Sequence, residues 1–458
     1  MAWSRYRSRA ATGAALLLLV LCAAPAATIE FAGGTGESND PYQIATSEQL
    51  LAMDDDPNLY DRHFTLITDI DLDPALPGRR IFAGAVLNWS VRRRPSGGGP
   101  FQGSFEGNGH AIRNAVLYNA SASSYVGLWG SVGASGSIRN LHLENALILD
   151  TSESGGYCGA LAGENDGLIA NCSATGTIAA NSTGYESLPG AGLIGCNAGI
   201  VVGCHAECYV FGGRVGGLVG SNEETGRVLH CSSEGWAYGD WTAGGLVGIN
   251  LGSVQYGSAH GTVFGDSAGG LIGENEGTVR ASYVTGDVSG DRSVGGIAAN
   301  NAGYVIDCYV TGSVQGDGLV GTNQGTITSS YSTTAAQVAS QPRRVRRSPG
   351  AASIRDMAVT AASREVRHVY YLDPNKTEDL HDGSYASDYG IPLLPAEMEQ
   401  QASFVGFDFY GDPNDGGQDH WFMPASGYPM LTWQATISGL AGIPDVSGLD
   451  PERAGQLL

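Results

Sequence analysis

Glu207, Glu234 and His260 stand at equivalent positions of three successive units of about 25 residues, with Tyr209, Trp236 and Thr262 two residues on and Phe211, Tyr238 and Phe264 two further. On one outward sheet face these columns would put two carboxylates, an imidazole and five aromatic rings side by side, with His205 at the border. Carboxylates on neighbouring strands would sit near the roughly 5 to 5.5 Å that retaining glycosidases use, so Glu207 and Glu234 would share acid and nucleophile roles beside a sugar held on Trp236. A lyase would instead need a basic residue beside bound cations, and Lys376 is the single lysine of the chain. Without turnover, the same rings suit a glycan or a protein surface. The structural alternative is that they pack under loops or on one another across strands.

A second candidate is ionic. Gly239-Asp240, Gly265-Asp266, Gly290-Asp291 and Gly316-Asp317 recur at one position of consecutive units. Stacked carboxylates about 5 Å apart would repel by roughly 1 kcal/mol per pair in water, which calcium binding would offset. The alternative is that each Asp bonds its own turn and splays into solvent. Cys204-His205-x-x-Cys208 has zinc-like letters, but alternation sends His205 outward and both cysteines inward. No H-E-x-x-H or phosphate loop is present.

These residues need a scaffold, and periodicity supplies it. Val126-Gly-Leu-Trp-Gly130, Gly159-Ala-Leu-Ala-Gly163, Ala191-Gly-Leu-Ile-Gly195, Gly216-Gly-Leu-Val-Gly220, Gly244-Gly-Leu-Val-Gly248, Gly269-Gly-Leu-Ile-Gly273, Gly295-Gly-Ile-Ala-Ala299 and Asp317-Gly-Leu-Val-Gly321 recur at intervals of 33 to 22 residues. Two residues after the last seven come Asn165, Asn197, Asn222, Asn250, Asn275, Asn301 and Asn323, and then a glycine. The G-x-N-x-G run reads as a turn in which Gly gives backbone freedom and Asn tolerates left-handed φ. The seven Asn should form a stacked amide ladder. Beyond the turn an apolar column (Ile169 to Ile327) is followed three residues on by a small one: Cys172, Cys204, Cys231, Gly257, Ser282, Cys308 and Ser330. Like residues in register on short strands describe an all-β chain, a right-handed parallel β-helix of about ten coils.

The repeat resembles the GLUG motif of secreted bacterial repeat proteins, some adhesin-like and some peptidase-associated. The flanks Asn39 to Leu51 with Asp69 to Asp73, and Gln401 to Phe409 with Tyr428 to Trp433, are similar to sequences found beside that motif. The resemblance implies a β-helix and no catalytic residue. Residue patterning along the chain suggests a signal peptide at 1–27, a cap with first coils at 28–125, the repeat solenoid at 126–334, a basic irregular insertion at 335–368 with Arg343-Arg-Val-Arg-Arg347, and an irregular closing segment at 369–458. In the cap, Thr46-Ser-Glu-Gln49 reads as a capping box opening a short helix, and Phe101 to Leu117 as the first full coil.

Arg5, Arg7 and Arg9, an apolar run to Cys22 and Ala24-Pro25-Ala26-Ala27 read as a secretory signal, and no other stretch suggests a transmembrane segment. Export permits disulfides, yet seven cysteines remain after the signal, and buried free thiols are the favoured reading. A net charge of -22 argues against nucleic acid as a partner. The function expected is a secreted or cell-surface β-helix that binds glycans or extracellular partners without turnover. The alternative is a glycoside hydrolase or lyase on the same scaffold.

Overall fold

A computed structural model describes residues 30–87, 99–120, 125–152, 156–180, 188–334, 365–372, 391–410 and 420–435. The expected signal peptide, the Arg343 to Arg347 run and Lys376 lie outside them. The chain divides at Glu30, and all that follows concerns the unit Phe31–Leu458. It is an all-β parallel solenoid.

The coils of the repeat region contribute strands to three sheets. Sheet 1 stacks eight strands in parallel, from Trp129–Val132 to Val320–Asn323. Sheet 2 carries the apolar column. Tyr42 pairs with Phe64, Phe64 with Phe105, Phe105 with Ile138, and the ladder continues through Ile169, Val201, Val228, Val254, Val279, Val305 and Ile327 to Val366. Twelve strands stack where about ten coils were expected. Stacking begins at Tyr42, ahead of Phe101, and continues past 334, because Glu365–Leu372 pairs with Thr326–Ser332 and Ile391–Leu393 pairs with Glu365–Leu372. The last coils therefore use strands in a stretch expected to be irregular. Sheet 3 is built on long strands such as His205–Gly216 and Ser232–Gly244.

The chain passes from sheet 2 to sheet 3 through one residue per coil. Asn140, Asn171, Gly203, His230, Tyr256, Ala281, Asp307, Ser329 and His368 all have φ between 47 and 64°. A single left-handed residue turns an extended chain sharply without a loop. It is disfavoured for side chains such as Tyr256 and Ala281, so the packing of the coil must hold it there. This corrects the turn reading: neither the Asn of G-x-N-x-G nor the glycine after it is left-handed. That glycine answers to space, since a Cβ on Gly277 would overlap Gly252 O and lie 2.7 Å from Leu251 O.

The corner also explains the small column that follows it. Except at Gly257, the thiol or hydroxyl of each coil donates to the carbonyl two residues earlier: Cys172 to Ala170 O at 3.3 Å, Cys231 to Leu229 O at 3.2 Å, Ser282 to Arg280 O at 2.7 Å, Ser330 to Thr328 O at 2.8 Å. It also accepts the backbone N–H of the coil before. Cys172 N reaches Cys204 Sγ at 3.5 Å, and Cys308 N reaches Ser330 Oγ at 3.0 Å. Cys and Ser are interchangeable here because both are small and both donate and accept. All seven cysteines among the described residues are free and buried. Burial pushes the Cys172 and Cys231 thiols up, and the Cys208 and Cys308 thiols up to about 12, so they are poor nucleophiles.

Both flanks close on the solenoid. Gln49 N donates to Thr46 Oγ1 at 3.3 Å and Thr46 N to Gln49 Oε1 at 3.2 Å, completing the capping box of the helix Ser47–Asp55. That helix buries Leu50 and Met53 in the core. At the other end Trp421, Phe404, Phe407 and Phe409 cover a stack of tyrosines on sheet 3, in which Tyr283, Tyr309 and Tyr331 lie 5.1 and 5.3 Å apart and nearly parallel. Trp433 Nε1 donates to Ala281 O at 3.0 Å.

Candidate binding face

Sheet 3 presents alternate residues outward, so what its strands expose follows from their pairing. Glu207 pairs with Glu234, Tyr209 with Trp236 and Phe211 with Tyr238; Trp236 in turn pairs with Thr262 and Tyr238 with Phe264. Tyr209 is 52% exposed and Trp236 55%, values large enough to exclude burial under a described loop. Phe211 and Tyr238 are also exposed and Phe264 half-buried. The rings do meet across strands: Tyr209 and Trp236 centroids lie 6.2 Å apart, Phe211 and Tyr238 6.3 Å, and Tyr238 and Phe264 5.3 Å with planes 16° apart. Cross-strand packing and solvent exposure therefore coexist.

The polar members flank the rings. His205 Nδ1 lies 2.8 Å from Ser232 Oγ. His260 Nδ1 lies 2.7 Å from Thr285 Oγ1, and its Nε2 3.1 Å from Ser258 Oγ. Burial pushes the His260 imidazole down; the Glu234 carboxylate opposes that and His205 adds to it. Burial alone does the same to His230, stacked 4.5 Å from Tyr256 and edge-on to Trp433. A base whose folded pKa is depressed contributes stability fully present above its unfolded value near 6.5 and lost as pH falls through the folded value. Acidification from about pH 7.5 to 5.5 should lower the melting temperature, and His230→Gln should flatten that slope. An unchanged slope in thermal melts would mean that His230 is solvated.

Sheet 3 extends the face in a direction alternation did not reveal. In the strand His142–Asp150 a bulge at Asn145 (φ 55°) inverts the parity, so that Leu147 and Leu149 point outward. Tyr118 pairs with Leu149, Leu149 with Ala179, and Ala179 with Phe211. Tyr118 is exposed. The sequence signal was an apolar run without clean period two.

The ionic candidate is corrected. Gly239, Gly265 and Gly290 are in register, each followed by an irregularity that carries Asp240, Asp266 or Asp291 outward. Asp317 is not the fourth member: it bridges to Gly295, and its N donates to Val294 O at 2.9 Å, because the coil between them is shorter than those before it. The Asp266 carboxylate lies 3.1 Å from Arg292 Nε, which supplies the counter-charge assigned to calcium. Among the described residues no group of three His, Cys, Asp or Glu side chains is arranged to hold a metal ion. Cys204 and Cys208 face the core while His205 is half-exposed on the outer side.

Inside, the asparagines occupy the ends of the sheet 1 strands, each at most 2% exposed. Asn165 Nδ2 donates to Asn197 Oδ1 at 2.8 Å, Asn197 to Asn222 and Asn222 to Asn250 at the same distance, then Asn250 to Asn275 at 2.8 Å, Asn275 to Asn301 and Asn301 to Asn323 at 2.7 Å. The ladder runs beside the repeated glycines and has no part in the outer face.

The family model described as "The GLUG motif" matches residues 211–238. The chain carries the GLUG motif. The match begins at Phe211 on one strand of the ring face and ends at Tyr238 on the next. Two curated relatives share part of the chain. Halomucin of Haloquadratum walsbyi is 30% identical over 151 residues, and a provisionally named Gly-rich membrane protein of Evansella cellulosilytica is 34% identical over 149 residues. Those stretches cover 32% and 31% of this chain but only 2% and 15% of the relatives. A solved structure from Bacteroides ovatus, provisionally named an immunoglobulin A1 protease, aligns over 88% of this chain and 95% of its own at 15% identity. Its TM-score of 0.28 is too low to carry any argument. No helix among the described residues is long and apolar enough to cross a membrane.

Proposed function

We propose that this chain is a secreted or cell-surface solenoid that binds a glycan or an extracellular partner through the ring face of sheet 3 without turning it over. The observation that carries the reading is a rigid, in-register surface whose Tyr209, Trp236 and Tyr238 rings remain solvent-exposed, with Phe211 at 37% exposure. Exposed aromatic area on fixed strands is poised for contact, because little conformational freedom is lost on binding. The partial likeness to halomucin and to a Gly-rich membrane protein supports a surface location, as does the signal-like N-terminus.

The pairing of Glu207 with Glu234 keeps a glycosidase as the second reading. Both carboxylates stand exposed on a flat face, whereas electrostatic catalysis draws its strength from a water-excluded site. Replacing Trp236 and Tyr238 together by Ala should leave the far-ultraviolet circular dichroism unchanged and weaken binding on a glycan array by at least about tenfold. Unaltered binding would sink the proposal. Glu234→Gln tells the two readings apart: a binding face keeps its affinity within a few fold, whereas a glycosidase loses product formation.

A further inference from the structure

We infer that the ligand is an uncharged polysaccharide lying along the solenoid axis across six coils, an inference that rests on the binding reading above. Two apolar columns run side by side. One is Tyr118, Leu149, Ala179, Phe211, Tyr238 and Phe264; the other is Val116, Leu147, Thr177, Tyr209, Trp236 and Thr262. Six strands at the usual interstrand spacing make a floor about 24 Å long. Among the described residues the floor is an open sheet face on which Tyr209, Trp236 and Tyr238 stand exposed, so it does not enclose a single sugar. On three of the six coils the rings follow one another at 5.3 to 6.3 Å, close to one sugar unit of an extended chain, so a polymer can place successive faces on those coils and continue over Ala179 and Leu149 to Tyr118. Each contact is weak alone, and many in line make the affinity.

The columns have a polar rail on one side. Glu144, Thr175, Glu207, Glu234 and His260 occupy successive coils, with Thr285 beyond, joined to His260 Nδ1 at 2.7 Å. At the far end Arg113 is held by Glu144 and Asp69. Ionised carboxylates only accept hydrogen bonds, so the ligand along the rail must be rich in donors, as a hydroxylated chain is. Glu207 and Glu234 also repel anionic polymers, and a net charge of -22 reinforces this at low salt. An apolar floor with an acceptor rail fits a neutral polyol and excludes a uronic-acid polymer. A protein partner would have no reason to follow the coil repeat.

The test titrates the whole chain with uncharged oligosaccharides of two, four and six units from the cello-, manno- and malto- series, with alginate and polygalacturonate as anionic probes. In at least one neutral series affinity should rise by about tenfold or more between two and six units. Tyr118→Ala, three coils from the nearest ring in its column, should weaken the six-unit ligand and spare the two-unit one; Leu149→Asp should do likewise, with circular dichroism checking the fold. Affinity independent of length, tighter binding of the anionic polymers, or six-unit binding indifferent to both substitutions would overturn the inference while leaving a binding face in place. If the wild-type chain binds no carbohydrate at any length, the inference and the glycan form of the binding reading fail together.

Discussion

Replacing Asn250 by Ala should lower the unfolding free energy by about 2 to 4 kcal/mol, the sum of losing its own bonds and stranding its neighbours'. Asn250 accepts from Asn222 Nδ2 at 2.8 Å and donates to Asn275 Oδ1 at 2.8 Å, with no exposed surface. Water cannot enter to replace either bond. Asn222 Nδ2 would keep its bond to Gly226 O at 3.1 Å, so the larger penalty falls on the Asn275 oxygen. Asn323 donates to no further asparagine and keeps Gly325 O at 3.3 Å, so Asn323→Ala should cost less. Asn250→Asp sharpens the test. A buried carboxylate has a raised pKa, so its folded form holds a proton longer than its unfolded form near 3.9. Protonated, it can donate to Asn275; ionised, it cannot. The aspartate variant should therefore lie closest to wild type below about pH 4 and fall away as the pH rises. Denaturant melts below about pH 4 and near neutrality check this. A neutral Asn250→Ala would mean that the amide chain adds nothing to stability.

The coil repeat and its register were legible because they depend on residue types that recur at fixed offsets. Ile169 and its counterparts stack as the spacing implied, and Glu207, Tyr209 and Phe211 meet Glu234, Trp236 and Tyr238 one coil on. What stayed hidden follows backbone events that leave no residue signature. The left-handed corner is filled by Asn140, His230, Tyr256, Ala281 and Asp307, chemically unrelated side chains, because the coil rather than the residue enforces φ there. The bulge at Asn145 inverts parity within one strand and so masked Leu147 and Leu149 as members of the outer face. Shortening of the coil between Gly295 and Asp317 moved Asp317 out of the aspartate column. The tyrosine stack was unreadable for another reason. Tyr283, Tyr309 and Tyr331 are outward by alternation, and only the docking of Trp421 and Trp433, more than 85 residues later, buries part of it.

Gly277→Ala should destabilise the solenoid by about 3 kcal/mol or more, the upper end of overpacking costs. Eight glycines, Gly136, Gly167, Gly199, Gly226, Gly252, Gly277, Gly303 and Gly325, occupy one position of successive coils, and for all but the first and Gly226 a Cβ would overlap the carbonyl of the glycine one coil earlier. Backbone presses on backbone, so no rotamer change can relieve it. A substitution here must push two coils apart, and doing so lengthens the neighbouring bonds from Asn250 Nδ2 to Asn275 Oδ1 and from Asn275 Nδ2 to Asn301 Oδ1. The last glycine of the G-L-x-G segment sits differently. Coil seven already carries Ala299 there, fully buried, so that position accepts a methyl when its surroundings adjust. Because a solenoid is stabilised by nearest-neighbour contacts, a break at Gly277 should separate the coils before it from those after it. Calorimetry of Gly277→Ala should then resolve two transitions where the wild type shows a narrower one, with proteolysis first cutting near residue 277. A single transition, shifted by no more than that of Gly273→Ala, would show that the coils can spread without cost and that close approach is not why glycine stands there.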